Sequence, residues 1–212
     1  MIGMGQPLPE KSRLVRRFLI PSILALFIFA SFALGRFVTV NIANQLLHDL
    51  VEIRDLQGVR WALNVGADPN LIGSNGQTPL FLAARLGEKA VCRELIRKGA
   101  DLNAPAHDGQ VPLHAAARHG HLQVTALLIE AGARLNATDT DNRSALYLAV
   151  AGNHYKLVKK LLAAGADTEL SVKTGGQTAL HEATYGSDLE IIQILLSSGA
   201  NVNAKCLQHR TP

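Results

Sequence analysis

One interval constrains this chain more tightly than anything else in it. A Gly-Ala pair returns at Gly66-Ala67, Gly99-Ala100, Gly132-Ala133, Gly165-Ala166 and Gly199-Ala200, at separations of 33, 33, 33 and 34 residues. A second series runs in phase with it: Pro79, Pro112, Ala145, Ala179 and Pro212 each occupy one position of a recurring segment, as in Thr78-Pro79-Leu80, Val111-Pro112-Leu113-His114 and Thr178-Ala179-Leu180-His181. Two marks locked together over more than four periods point to small units stacked in a row rather than to one globular core.

The stretch from Asp108 to Ala137 shows what each unit does. Thr or Ser followed by Pro starts a helix, because the hydroxyl accepts from an orphan amide and proline fills a first-turn position that needs no donor. Leu113, Ala116 and Ala117 then form a small-residue face, and Gly120 permits a sharp turn into a second helix. There Val124, Leu127, Leu128 and Ala131 recur at i, i+3, i+4 and i+7. Gly132 stops that helix. Arg134-Leu135-Asn136-Ala137, with the Asp-Asn or Asp-Gly that follows in each unit, makes an exposed turn that projects as a finger. A single unit cannot bury its apolar face alone, so it requires its neighbours.

On these residues the chain resembles the ankyrin repeat family, from about Ala43 to its last residue. The resemblance implies an all-α solenoid of helix-turn-helix repeats with short β-hairpin-like fingers. Repeats are expected at about 43–72, 73–105, 106–138, 139–171 and 173–205, with the start of a further one at 206–212. Asn44–Ala67 reads as a first repeat without the Thr-Pro start, with Leu46, Leu47, Leu50 and Ile53 on one helix and Val59 and Leu63 on the next. Trp61 falls on the outer face of that second helix. Asn153 stands at the turn that Gly120 makes in the Asp108 unit, and one inserted residue within Leu170–Gly175 predicts a longer or bent finger. The last residues, His209-Arg210-Thr211-Pro212, match another helix start. The expectation is therefore a fragment of a longer array, with the Ile192, Leu195 and Leu196 side of the last repeat exposed.

Ahead of the repeats, residues 1–17 read as a basic, disordered N-terminus. Lys11, Arg13, Arg16 and Arg17 precede Phe18–Gly35, eighteen residues without a charge. As a helix that run would rise about 27 Å, a little short of a bilayer core, and Phe37–Val40 would extend it. Residues 18–40 are thus expected to be a transmembrane helix or a signal sequence. Ser31-Phe32-Ala33 and Ala33-Leu34-Gly35 offer cleavage sites for the second alternative. The basic flank predicts a single-pass protein with its N-terminus cytoplasmic and its repeats extracytoplasmic. Asn136-Ala137-Thr138 and Asn142-Arg143-Ser144 match the glycosylation pattern, which chance also supplies.

Charge adds one exclusion. The first 36 residues hold five basic residues against Glu10, which accounts for the whole formal charge of +4, so the repeats are balanced and give no support for nucleic-acid binding. A hydrophobic fraction of 48% with 5% aromatics suits Ala- and Leu-rich helices. Lys156, Lys159 and Lys160 read as a solvated helix face.

No catalytic set emerges. His114 and His181 stand at the fourth position of the helix-start segment, where the resemblance implies a structural hydrogen bond, and His119, His121 and His154 surround the inter-helix turn. His181-Glu182 lacks the second histidine of a zinc-protease helix. Cys92 and Cys206 lie more than three repeats apart, too far to bridge, one expected packed and the other exposed. No metal, cofactor or small-molecule substrate is expected.

The remaining feature is a surface. The family's usual partner site is the concave side built by fingers and first helices. Carried over by position, it comprises Ser74, Asn75, Gln77 and Arg85 in the second repeat and His107, Asp108, Gln110, Arg118 and His119 in the third. Asp141, Arg143, Lys173, Gln177 and Tyr185 continue the line, with Arg118, Arg143 and Tyr185 as the principal anchors for a protein partner.

Overall fold

The computed structural model describes residues 36–73, 76–207 and 210–212. The expected disordered segment 1–17, residues 18–35 of the expected membrane or signal segment, and Ser74 and Asn75 of the expected partner surface lie outside the described residues. Residues 36–40 form the start of a helix that runs on to Glu52. No helix among the described residues is long and apolar enough to cross a membrane.

The chain divides into two compact units, with the boundary between Ala67 and Asp68. In the first, α1 (Arg36–Glu52) and α2 (Leu56–Val65) form an antiparallel pair. Ala43, Leu47, Leu50 and Val51 are buried with Val59, Ala62 and Leu63. Ile53 falls beyond the helix rather than on it, because Arg54 turns the chain with φ 61 and Asp55 caps α2 by accepting from the amides of Gln57 and Gly58 at 3.1 and 3.0 Å. Gly58 lets the two helices approach closely, since a Cβ there would meet Leu50.

The second unit holds four helix pairs: α3 (Pro79–Leu86) with α4 (Lys89–Arg97), α5 (Pro112–Arg118) with α6 (Leu122–Glu130), α7 (Ala145–Ala151) with α8 (Tyr155–Ala163), and α9 (Ala179–Tyr185) with α10 (Leu189–Ser197). First helices pack on first helices and second on second. Thr78 and Ser144 cap their helices as expected, accepting from the amides of Phe81 and Tyr147 at 3.3 and 3.2 Å. Leu80, Leu113, Leu146 and Leu180 take equivalent positions and are at most 2% exposed. Each such leucine contributes roughly 1.5–3 kcal/mol by leaving water.

The second helices hold a parallel column, Val91, Val124, Leu157 and Ile191, with Leu95, Leu128, Leu161 and Leu195 one turn on, all buried. Two expectations are corrected here. Ala131 is exposed as the residue capping α6, whereas Thr125, between α4 and α8, is fully buried. Leu195 is likewise buried and Ile192 half-buried, so of the three residues expected on the exposed side only Leu196, at 41%, is exposed.

Backbone hydrogen bonds rather than strands close the fingers. Among the described residues the β pairing is a single isolated bridge, Thr138 to Ser144. The amides of Gly73, Ala106 and Asp139 each donate to the carbonyl four residues on, Gln77, Gln110 and Arg143, whereas Val172 reaches Gln177, five residues on. The inserted residue thus lies in the turn, absorbed by Gly175 and Gly176 with φ 111 and 68. A side-chain oxygen then ties each repeat to the next: Asn70 accepts from Asp101 N at 2.7 Å, Asn103 from Arg134 N at 2.8 Å, Asn136 from Asp167 N at 3.0 Å, and Glu169 from Asn201 N at 3.0 Å.

Candidate protein-binding groove

One position in the last turn of each first helix, repeated at the 33- or 34-residue step, forms a column: Arg85, Arg118, Ala151 and Tyr185. Ala151 is the short member, and its truncation opens a groove of about 680 Å³ between the side chains of Arg118 and Tyr185. Tyr147, Leu148 and Glu182 contribute from α7 and α9, and Asp141, Arg143, Val172, Thr174 and Gln177 from the fingers. Five residues expected from sequence, Arg118, Asp141, Arg143, Gln177 and Tyr185, therefore share one depression.

They are not equivalent. Arg118 and Tyr185 are exposed, Tyr185 at 67%. Arg143 is engaged within its own finger: its Nε donates to Asp139 Oδ2 at 2.8 Å, and its guanidinium lies 3.1 Å from Asp141 Oδ2. The Asp139 carboxylate is fully buried and also accepts from the amides of Asp141 and Arg143, at 3.0 and 2.8 Å. Asp139 thus builds the finger and turns Arg143 from an adaptable anchor into a fixed strut. The Tyr147 hydroxyl donates to Glu182 Oε2 at 2.7 Å. Burial, then the hydrogen bond and charge of Glu182, push that phenol above its usual range. Tyr147 and Glu182 escaped the sequence reading because Tyr147 stands where His114 and His181 stand in their repeats.

Other expected positions lie elsewhere. Gln110 is 3% exposed, and its Nε2 has no hydrogen-bond partner among the described residues, so this side chain presents nothing to a protein outside. His107 is exposed and its ring covers the backbone of Gly76 in the preceding finger. The carbonyl of exposed Asp108 accepts from the amide and hydroxyl of Thr140 at 3.0 and 2.9 Å, joining adjacent fingers. Gln77 and Arg85 are half-buried, and His119 is exposed at the inter-helix turn.

His114, His181, His121 and His154 are structural. His114 Nδ1 accepts from Val111 N at 3.1 Å, and its Nε2–H points at the carbonyls of Ala137 and Arg143, both at 3.0 Å. His181 repeats the arrangement, with Nδ1 accepting from Thr178 N at 3.2 Å and Nε2 at 3.2 Å from Arg210 O. His121 and His154 clamp the ends of the preceding first helices through the carbonyls of Arg85 and Arg118, at 2.9 and 3.1 Å. Among the described residues, no three His, Cys, Asp or Glu side chains are grouped so as to hold a metal. Both cysteines are free and buried, Cys206 included, contrary to the exposed position expected for it.

Stacked helix pairs with a ladder of fingers and an open groove define a helical-repeat protein built to present a surface. The model of one family, ankyrin repeats in three copies, matches residues 47–139 and again 135–206. The chain belongs to the ankyrin repeat family. Comparison with curated proteins gives no match. Proteins of this family are generally non-catalytic interaction modules, which implies protein partners for this chain.

Proposed function

We propose that the chain is a non-catalytic recognition module that holds a protein partner in the groove between the first helices and fingers of its third to fifth repeats. The observation that carries this reading is the column Arg118, Ala151, Tyr185: a small residue between two large exposed ones leaves a cleft in an otherwise close-packed stack. Arg and Tyr are also the side chains that most often dominate protein interfaces. A photo-crosslinking residue at Tyr185 should give a discrete adduct with another protein, and one at Lys159, on a second helix, should not. Ala151→Arg fills the cleft from an exposed position, so it should abolish the adduct and leave the melting temperature unchanged. Equal crosslinking from both positions, or indifference to Ala151→Arg, would overturn the assignment.

The module is tethered to a membrane through residues 18–40, with the repeats extracytoplasmic. Support for this comes from the uncharged run Phe18–Gly35 and the basic residues before it. Full-length chain should stay in the pellet after carbonate extraction, and the repeats should resist protease in sealed vesicles until detergent is added. Release of a shortened chain with a new N-terminus near Ala33 or Gly35 would establish a cleaved signal instead.

A further inference from the structure

The turn edge of the stack carries a charge pattern that the groove does not explain. Arg85 lies in the last turn of α3 and Arg118 ends α5, and neither side chain has a hydrogen-bond or ion-pair partner among the described residues. His119 follows Arg118 and is exposed, with its ring 6.1 Å from that of His121. His121 and His154 lie over Gly87 and Gly120, the turn glycines, and donate to the carbonyls of Arg85 and Arg118. Both acceptor carbonyls lie in the last turns of their helices. The charged groups that act on His119 are His121, Arg118, Arg85 and His154, every one a base. The flanking repeats carry carboxylates at the turn position that His121 and His154 occupy. They are Glu88, whose charge adds to the effect of burial in pushing the Cys92 thiol up to about 12, and Asp188, which caps α10. The edge is therefore basic in its middle and acidic at its ends.

We propose that Arg85, Arg118, His119, His121 and His154 form a docking site for a carboxylate-rich segment of a partner protein, and that acidification tightens it. The inference rests on the reading of this chain as a protein-binding module and gives that partner its chemistry. Two arginines without a carboxylate partner supply the attraction at neutral pH, and an opposite charge is what completes them. Burial, and then the surrounding positive charges, hold His119 below its usual range. An acidic ligand offsets that repulsion, so proton uptake and ligand binding reinforce each other. Arg118 also lines the groove, so a bound segment passes from the basic edge into the cleft.

The test uses the full chain and a labelled decaglutamate, followed by fluorescence anisotropy at low salt. Binding should tighten by about threefold from pH 7.5 to 6.0, where glutamates remain ionised. It should weaken by about tenfold in Arg85→Gln/Arg118→Gln and change little in Arg93→Gln/Lys159→Gln, a charge-matched control on the second helices. Circular dichroism establishes that each variant is folded. Equal weakening in both pairs, comparable binding of decalysine, tighter binding of a single-stranded oligothymidylate, or an affinity that falls on acidification would each overturn the proposal. The two readings separate cleanly. If the Tyr185 adduct survives in Arg85→Gln/Arg118→Gln and disappears in Ala151→Arg, the groove stands and the acidic-segment site does not.

Discussion

His114 shows how a single buried ring can hold two repeats together. Its Nδ1 must accept from Val111 N while Nε2 donates to carbonyls on the next finger, so only the neutral ring satisfies the site. Burial pulls its pKa below 6.5, with Asp139 pulling the other way. The fold binds that proton less readily than the unfolded chain does. The stability His114 contributes is thus fully present above about pH 6.5 and is lost as pH falls toward the folded value. His114→Phe, which copies Phe81 of the preceding repeat, should cost about 1–3 kcal/mol at pH 7.5 and flatten the decline in melting temperature between pH 7.5 and 5.5. Thr125 presents the opposite case. Its hydroxyl is buried without a partner among the described residues, in a column where the next repeat has Val158. Thr125→Val should raise stability by about 1 kcal/mol in urea titrations, and a loss of that size would mean the hydroxyl has a role.

At the scale of the helix pair, two kinds of glycine separate. Gly132 ends α6 with φ 93 and open space around the missing Cβ, so Gly132→Ala carries only the backbone penalty, about 1 kcal/mol. Gly120, with φ 71, has the His154 ring 2.7 Å from where a Cβ would sit. Gly120→Ala must displace the ring and its bond to Arg118 O, and should cost roughly 2–3 kcal/mol. Equal costs at the two sites would show that the histidine clamp contributes nothing. In the fifth repeat the same turn is made by Ser187 at φ 55, and the next turn position is Asp188 rather than a ring. Ser187→Gly should therefore stabilise by up to about 1 kcal/mol in the same titrations.

At the scale of the whole stack, stability depends on the junctions. Each carries exposed side-chain rungs, such as Asn136 Oδ1 with Asp167 N, in addition to buried leucines. Asn136→Ala should cost about 1 kcal/mol and lower the urea m-value, because weakening one junction lets its two sides unfold less cooperatively. An unchanged m-value with the same loss would place the effect inside a single repeat. The balanced charge of the repeats has the same local character: sequence totals cancel, while Arg85 and Arg118 gather on one edge and Glu88 and Asp188 bound it.

The sequence alone determined what is set within a few residues and then repeated: the Thr78 and Ser144 caps, the left-handed turns at Gly120 and Asn153, the leucine column and the 33-residue step. Those features follow from local sterics and hydrogen bonding, which neighbours in the chain are enough to fix. Only the tertiary structure decided which polar residues remain available. Arg143 is taken by Asp139, Gln110 is turned inward, Cys206 is buried, and Ala151 becomes a cleft because Arg118 and Tyr185 stand on either side of it. Each of those outcomes depends on groups brought into contact by packing and finger geometry, and no pattern confined to one repeat encodes them.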